Sequence, residues 1–143
     1  MKILAVDYGA SRTGLAVCDP TEFLTTPITP QITLKARPKV AAEVCRIAQE
    51  QKAELIVVGL PLNMDGTKGI RVERTEAFAE ELSKAFPDIP YHFWDERLTT
   101  VMAQKQLIAA DVSRRKRKKV IDKMAAVAIL EGYLQHLSFK NRG

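Results

Sequence analysis

The stretch "KILAVDYGASRTGLAVC", residues 2–18, decides how the chain is read. Its first half is continuously apolar up to Asp7, as expected of a central strand covered on both faces. "GASRT" then supplies turn residues and residues 14–18 run apolar again, so the chain opens with a hairpin. Gly9 is expected to serve a turn that needs positive φ. Asp7 ends an otherwise apolar strand, where a carboxylate is costly unless paired or bound to a cation. Capping or a salt bridge would account for Asp7 taken alone, so the rest of the chain has to decide.

Beyond the hairpin, "DPTEFLTTPITPQITL" combines β-branched residues with three prolines, which suits an irregular edge strand. The spacing of Val40, Val44, Ile47 and Ala48 predicts an amphipathic helix from Arg37 to Lys52. "AELIVVGL" reads as a buried strand, closed by the loop "PLNMDGTKG". A second helix is predicted from Ile70 to Phe86, with Phe78, Leu82, Ala85 and Phe86 facing the core. "YHFW" is the next strand, "TTVMAQKQLIAA" a third helix, and "VIDKMAAVAILEGYLQHL" a last helix apolar on most of its circumference. An opening hairpin followed by βα units predicts an α/β fold, a mixed sheet with helices on both faces. One domain over residues 1–143 is expected, since no repeat, linker or low-complexity tract interrupts the chain.

Composition sets broad limits. The hydrophobic fraction of 46% and charged fraction of 27% are those of an ordinary globular protein, with no apolar run long enough for a membrane span. Cys18 and Cys45 make no ligand motif; they read as reduced core residues of a cytoplasmic protein, a lone disulfide being the alternative. The net charge is +5, and "RRKRKK" at residues 114–119 carries six positive charges, so the remainder is −1. The basic character is a local patch that favours a polyanion such as nucleic acid, against the blander reading of a solvated loop.

Ligands in open α/β sheets gather at the carboxyl ends of parallel strands. Asp7, the loop after the second parallel strand, and Asp95-Glu96-Arg97 after the third all lie at such ends. Side chains alternate along a strand, so Asp95 and Glu96 should diverge. One should face the site, and the other should anchor Arg97 or cap the helix beginning near Thr99. The residues alone leave that choice open. Arg12 could partner a carboxylate or a phosphate. Asp122 lies in the first turn of the last helix, where a negative charge suits the helix dipole. Ala125 and Ala126 on its face are small and would let the helix approach the sheet edge near Asp7. Three carboxylates from separate parts of the chain suggest a Mg2+ or Mn2+ site. Two such ions about 3.5–4 Å apart commonly hydrolyse phosphodiesters. Neither an H-E-x-x-H motif nor a Cys/His cluster speaks for zinc, and His92 and His136 read as ordinary strand and helix residues.

"DYGASRTG", "VVGLPLNMDGT", "DERLTT" and "KKVIDKMAAVAIL" together resemble the bacterial YqgF-like family, described first as Holliday junction resolvases and later as pre-16S rRNA nucleases. The resemblance runs from Met1 to about Leu137. It implies a ribonuclease H-like fold with a mixed five-stranded sheet, and an acidic triad of Asp7, Glu96 and Asp122. On resemblance, then, Glu96 is preferred over Asp95. Arg12, Asn63, Asp65 and Arg97 fall within the family's motifs and are expected to contact substrate or support the site. The basic residues Arg114, Arg115, Lys116, Arg117, Lys118 and Lys119 are expected to hold its backbone. The resemblance implies cytoplasmic maturation of the 5′ end of 16S rRNA, with structured RNA and a precursor ribosomal particle as partners. Branched DNA is the alternative substrate, and the state expected is a monomer or weak homodimer.

The actin and sugar-kinase fold also opens with a strand and hairpin, but it needs two copies for a nucleotide cleft and this chain has room for one. A non-catalytic nucleic-acid-binding factor is the other rival; it has no need of three converging carboxylates, which repel phosphate without metal. Neutralising Lys118 and Lys119 is expected to weaken nucleic-acid binding and flatten its salt dependence by about one counterion for each phosphate no longer neutralised. Binding titrations at several salt concentrations check this; unchanged slopes would return the run to a solvated loop.

Overall fold

The computed structural model describes residues 1–22, 24–97 and 125–138. In chain order these give β1 (Ile3–Asp7), β2 (Thr13–Cys18), β3 (Thr25–Ile32), α1 (Arg37–Glu50), β4 (Leu55–Leu60), α2 (Ile70–Ala85) and β5 (Tyr91–Asp95). A last helix covers residues 125–138. The helix expected over residues 99–110 lies outside the described residues.

The strands form one mixed sheet in the order β3-β2-β1-β4-β5. β1 pairs antiparallel with β2 and parallel with β4, and β5 extends the sheet parallel to β4. The proline-bearing β3 pairs antiparallel with β2 at the edge, with a register shift between Thr13 and Leu15. Prolines are tolerated there because an edge strand leaves backbone donors unneeded on one side.

Alternation along the central strands divides the core into two layers. Leu4, Val6, Ile56 and Val58 pack with Val40, Val44, Ile47 and Ala48 of α1 and with Phe78 and Leu82 of α2. Ile3, Ala5, Leu55 and Val57 point the other way, against Ala126, Val127, Ile129, Leu130 and Tyr133 of the last helix. Both faces being covered, β1 and β4 must be apolar throughout, which is the pattern the sequence carries. Cys18 and Cys45 are free and buried in opposite layers, so the sheet separates them and the alternative of a disulfide between them falls.

Several expectations need correction. α1 stops at Glu50, because Gln51 caps it and Lys52 takes the left-handed conformation (φ 57°). The buried face of α2 is Val72, Thr75, Phe78, Ala79 and Leu82, whereas Ala85 is exposed. The chain leaves the helix at Phe86 (φ −145°), whose ring packs against the core, while Ala85 ends the helix exposed. Gly9 does not adopt positive φ; a side chain there would collide with the backbone carbonyl of Arg12, so its requirement is space.

Phe78 is fully buried and stacks on Tyr8, with centroids 4.4 Å apart and planes 8° from parallel. Phe78→Ala is expected to destabilise the fold by about 3–5 kcal/mol, the usual cost of a large core cavity. Urea denaturation measures it, and a loss below about 1 kcal/mol would mean that the α2 layer is not packed as described.

Candidate active site

The same alternation decides which side chains meet at the carboxyl edge of the sheet. Asp7 follows Ile3 and Ala5, and Gly59 follows Leu55 and Val57, on the face covered by the last helix. On β5 the ring of Trp94 packs against Tyr133 and His136 of that helix, at centroid distances of 6.1 and 5.8 Å. His92, two residues earlier, places its Nδ1 2.9 Å from the Tyr133 hydroxyl. Glu96, two residues on, keeps this parity and turns toward Asp7, with which it shares a side-chain hydrogen bond. Asp95 departs on the other side.

A hydrogen bond between two carboxyl groups requires a proton on one of them, since an ionised carboxylate only accepts. Burial, and then the charge and hydrogen bond of Asp7, push the Glu96 carboxyl up to about 8, with Arg71 opposing and Asp95 adding to the rise. Gly59 makes the arrangement sterically possible. A Cβ there would lie 2.5 Å from Ile129 Cδ1 and 2.9 Å from Glu96 Cδ, so a side chain on β4 would push aside the Ile129 tip and the Glu96 carboxylate. Near Asp7 the last helix also comes close: a Cβ built on Gly14, the register partner of Asp7, would be 3.8 Å from Ala126 Cβ and 3.9 Å from Asp7 Cβ. Small residues at this crossing are what permit the approach.

Asp95 holds Arg97 through both carboxylate oxygens: Oδ2 accepts from Nε at 2.9 Å and from Nη2 at 2.6 Å, and Oδ1 accepts from the Arg97 backbone amide at 3.0 Å. The paired guanidinium keeps the Asp95 carboxyl below its ordinary value. Arg97 also donates to the Met64 carbonyl at 3.4 Å, tying the end of β5 to the 61–69 loop. That loop is organised from within. Asn63 Nδ2 donates to Thr67 Oγ1 at 3.0 Å, and Asp65 accepts from the Thr67 amide and hydroxyl at 2.9 and 2.6 Å. Gly66 turns it with φ 89°, a conformation that side chains disfavour. Asn63, Asp65 and Arg97 therefore shape the loop beside the carboxylates. Arg12 is exposed in the β1–β2 turn, and among the described residues it forms no ion pair.

Asp122 and the basic run, Arg114 to Lys119, lie outside the described residues. Among the described residues no group of three or more His, Cys, Asp or Glu gathers as a metal cage. The donor set that is present still suits a hard divalent ion: two carboxylates, half-buried and held against each other. Sequence reasoning missed Gly59 and Arg71. Both act through contacts between distant segments, and nothing in their local sequence marks them.

A carboxyl whose pKa is raised on folding destabilises the native state as pH climbs from the ordinary 4.5 through about 8. Without divalent metal, the thermal midpoint is therefore expected to fall over that window, and to fall less in Glu96→Gln. Melts in EDTA across the pH range check this; parallel curves for the two proteins would mean that Glu96 titrates as an ordinary carboxyl.

Comparison with known proteins agrees with this architecture. The family described as "RuvX: Holliday junction resolvase" matches residues 1–136. A relative in Desulfitobacterium hafniense is 44% identical over 141 residues, covering 99% of this chain and 96% of its own. One in Clostridium beijerinckii is 42% identical over 140 residues, covering 98% and 100%. Both are named "Putative pre-16S rRNA nuclease". Among solved structures, Thermus thermophilus RuvC in complex with a Holliday junction substrate superposes with TM-score 0.60 at 15% identity, covering 100% of this chain and 96% of its own. RuvC from the same organism in a second structure gives TM-score 0.57 at 13% identity, covering 100% and 97%. The fold is ribonuclease H-like, and the chain belongs to the RuvX, or YqgF-like, family.

Proposed function

We propose that this chain is a divalent-metal-dependent nuclease that matures the 5′ end of precursor 16S rRNA in the cytoplasm. The observation that carries the reading is the Asp7–Glu96 pair at the carboxyl edge of the sheet, two acids sharing a hydrogen bond in a half-buried setting. Such a pair is poorly suited to stability and well suited to holding Mg2+ or Mn2+ against a phosphodiester. Asp122 is proposed as the third carboxylate, on the strength of its place in the family's motif. The bound metal would supply Lewis acidity and an activated water. Asp7 and Glu96 would hold it, giving up their shared proton as it enters. Arg97, fixed by Asp95, braces the 61–69 loop beside the cut, and the residues at 114–119 would grip the backbone.

Relatives named for pre-16S rRNA favour RNA as the substrate. A Holliday junction is the second reading, favoured by the family's description and by the junction-bound RuvC neighbour. Resolution of a junction needs paired cuts by a symmetric dimer, whereas end maturation needs one site. No described helix is long and apolar enough to cross a membrane.

Asp7→Asn is expected to reduce cleavage to the uncatalysed background while preserving the fold and nucleic-acid binding. A paired assay with Mn2+ or Mg2+ gives wild type and variant both precursor 16S rRNA and a four-way DNA junction. Metal-dependent cutting of the RNA, absent in the variant, supports the reading. Symmetric cuts confined to the junction would replace it with the resolvase, and undiminished turnover in Asp7→Asn would remove the proposed site altogether.

A further inference from the structure

A second feature lies on the opposite face of the same sheet edge. A cavity of about 440 Å³ is lined by Tyr8, Gly9, Ala10, Lys35, Arg37, Arg71, Arg74 and Thr75. Four of these are cations and none is a carboxylate. Some cations elsewhere on the described surface are paired: Arg46 with Glu43 and Glu50, Lys68 with Glu76, and Arg97 with Asp95. Among the described residues, Lys35, Arg37, Arg71 and Arg74 form no ion pair within 4 Å, and the buried Nε of Arg37 has no hydrogen-bond partner. Four like charges around one hollow give it a positive potential that attracts an anion.

The backbone adds to this. Arg37 opens α1, a helix with no side-chain cap and no acidic residue in its first turn, so its positive end is uncompensated beside the cavity. The stack of Tyr8 on Phe78 fixes one wall. Two links join the cavity to the carboxylate pair. Tyr8 is the residue after Asp7, and Arg71, which lines the cavity, is the cation whose charge opposes the rise of Glu96.

We propose that this cavity binds a backbone phosphate of the substrate strand, next to the phosphate presented to Asp7 and Glu96. Lys35, Arg37, Arg71 and Arg74 would clamp it by charge-assisted hydrogen bonds. A strand anchored there crosses the sheet edge from the α1/α2 side to the side of the last helix, which sets where along it the carboxylates act. The inference rests on the nuclease reading only in this last respect; the phosphate site itself does not depend on cleavage.

The test uses the full chain in EDTA and a labelled single-stranded RNA in which one linkage at a time is a neutral methylphosphonate. Lys35→Gln/Arg74→Gln removes two exposed cations, and an unchanged thermal midpoint confirms its fold. In the wild type, one neutral linkage is expected to weaken binding roughly tenfold, the worth of a charge-assisted hydrogen bond. In the double variant, where only Arg37 and Arg71 remain, that same linkage should cost clearly less, and the slope of log K against log salt should fall by about 0.7, one single-strand phosphate contact. A linkage penalty undiminished in the variant, or an equal affinity for unmodified RNA, would overturn the proposal. So would competition by inorganic phosphate that the variant abolishes while no single linkage matters, which would identify a free-anion site. Cleavage assayed separately keeps the two readings apart. The expected linkage pattern without any metal-dependent cutting leaves the phosphate site standing and removes the nuclease; normal cutting by the double variant at unchanged KM does the reverse.

Discussion

Two acids placed side by side in a partly dry setting repel one another unless something positive joins them, and the fold is arranged to force Asp7 and Glu96 into that position. Parallel pairing of β1, β4 and β5 brings the strands' carboxyl ends to one edge. Alternation then selects which side chains face the last helix there: Asp7 on β1, Gly59 on β4, and Glu96 just past β5. Gly59 contributes by having no side chain, since both Glu96 and Ile129 occupy the space it leaves. The apolar residues behind these positions, Ile3, Ala5, Leu55 and Val57, are fully or nearly fully buried, so the edge is built on the most constrained part of the core. A site anchored at the ends of rigid strands holds its acids in a fixed relation.

Much of this was legible in the sequence, for identifiable reasons. β1 and β4 are apolar without interruption because both faces are covered, and that pattern is unambiguous when a turn follows. The edge character of β3 showed in its prolines. Asp7 stood out because a carboxylate closing such a run demands an explanation. The choice between Asp95 and Glu96 was not legible from the residues, because it depends on where β5 ceases to be a strand. Family resemblance implied Glu96, and the contact of Trp94 with Tyr133 and His136 fixes the parity that turns Glu96 toward Asp7.

Features made by distant segments were invisible. Lys35 and Arg37 lie some way along the chain from Arg71 and Arg74, and each pair alone looks like solvated helix or loop. Only the packing of α1 against α2 beside Tyr8 gathers them. The sheet edge is therefore electrically divided, with acids on the side of the last helix and unpaired bases on the side of α1 and α2. Arg71 stands where the two fields overlap.

The separation of the two cysteines has its own use. Cys18 lies in the layer shared with the last helix and Cys45 in the layer shared with α1 and α2, and burial raises both thiols above their ordinary value. Each is shielded from alkylation as long as its own layer stays closed. The native chain thus carries one chemical reporter per layer, and the relative rates at which the two thiols become reactive record which side of the sheet opens first.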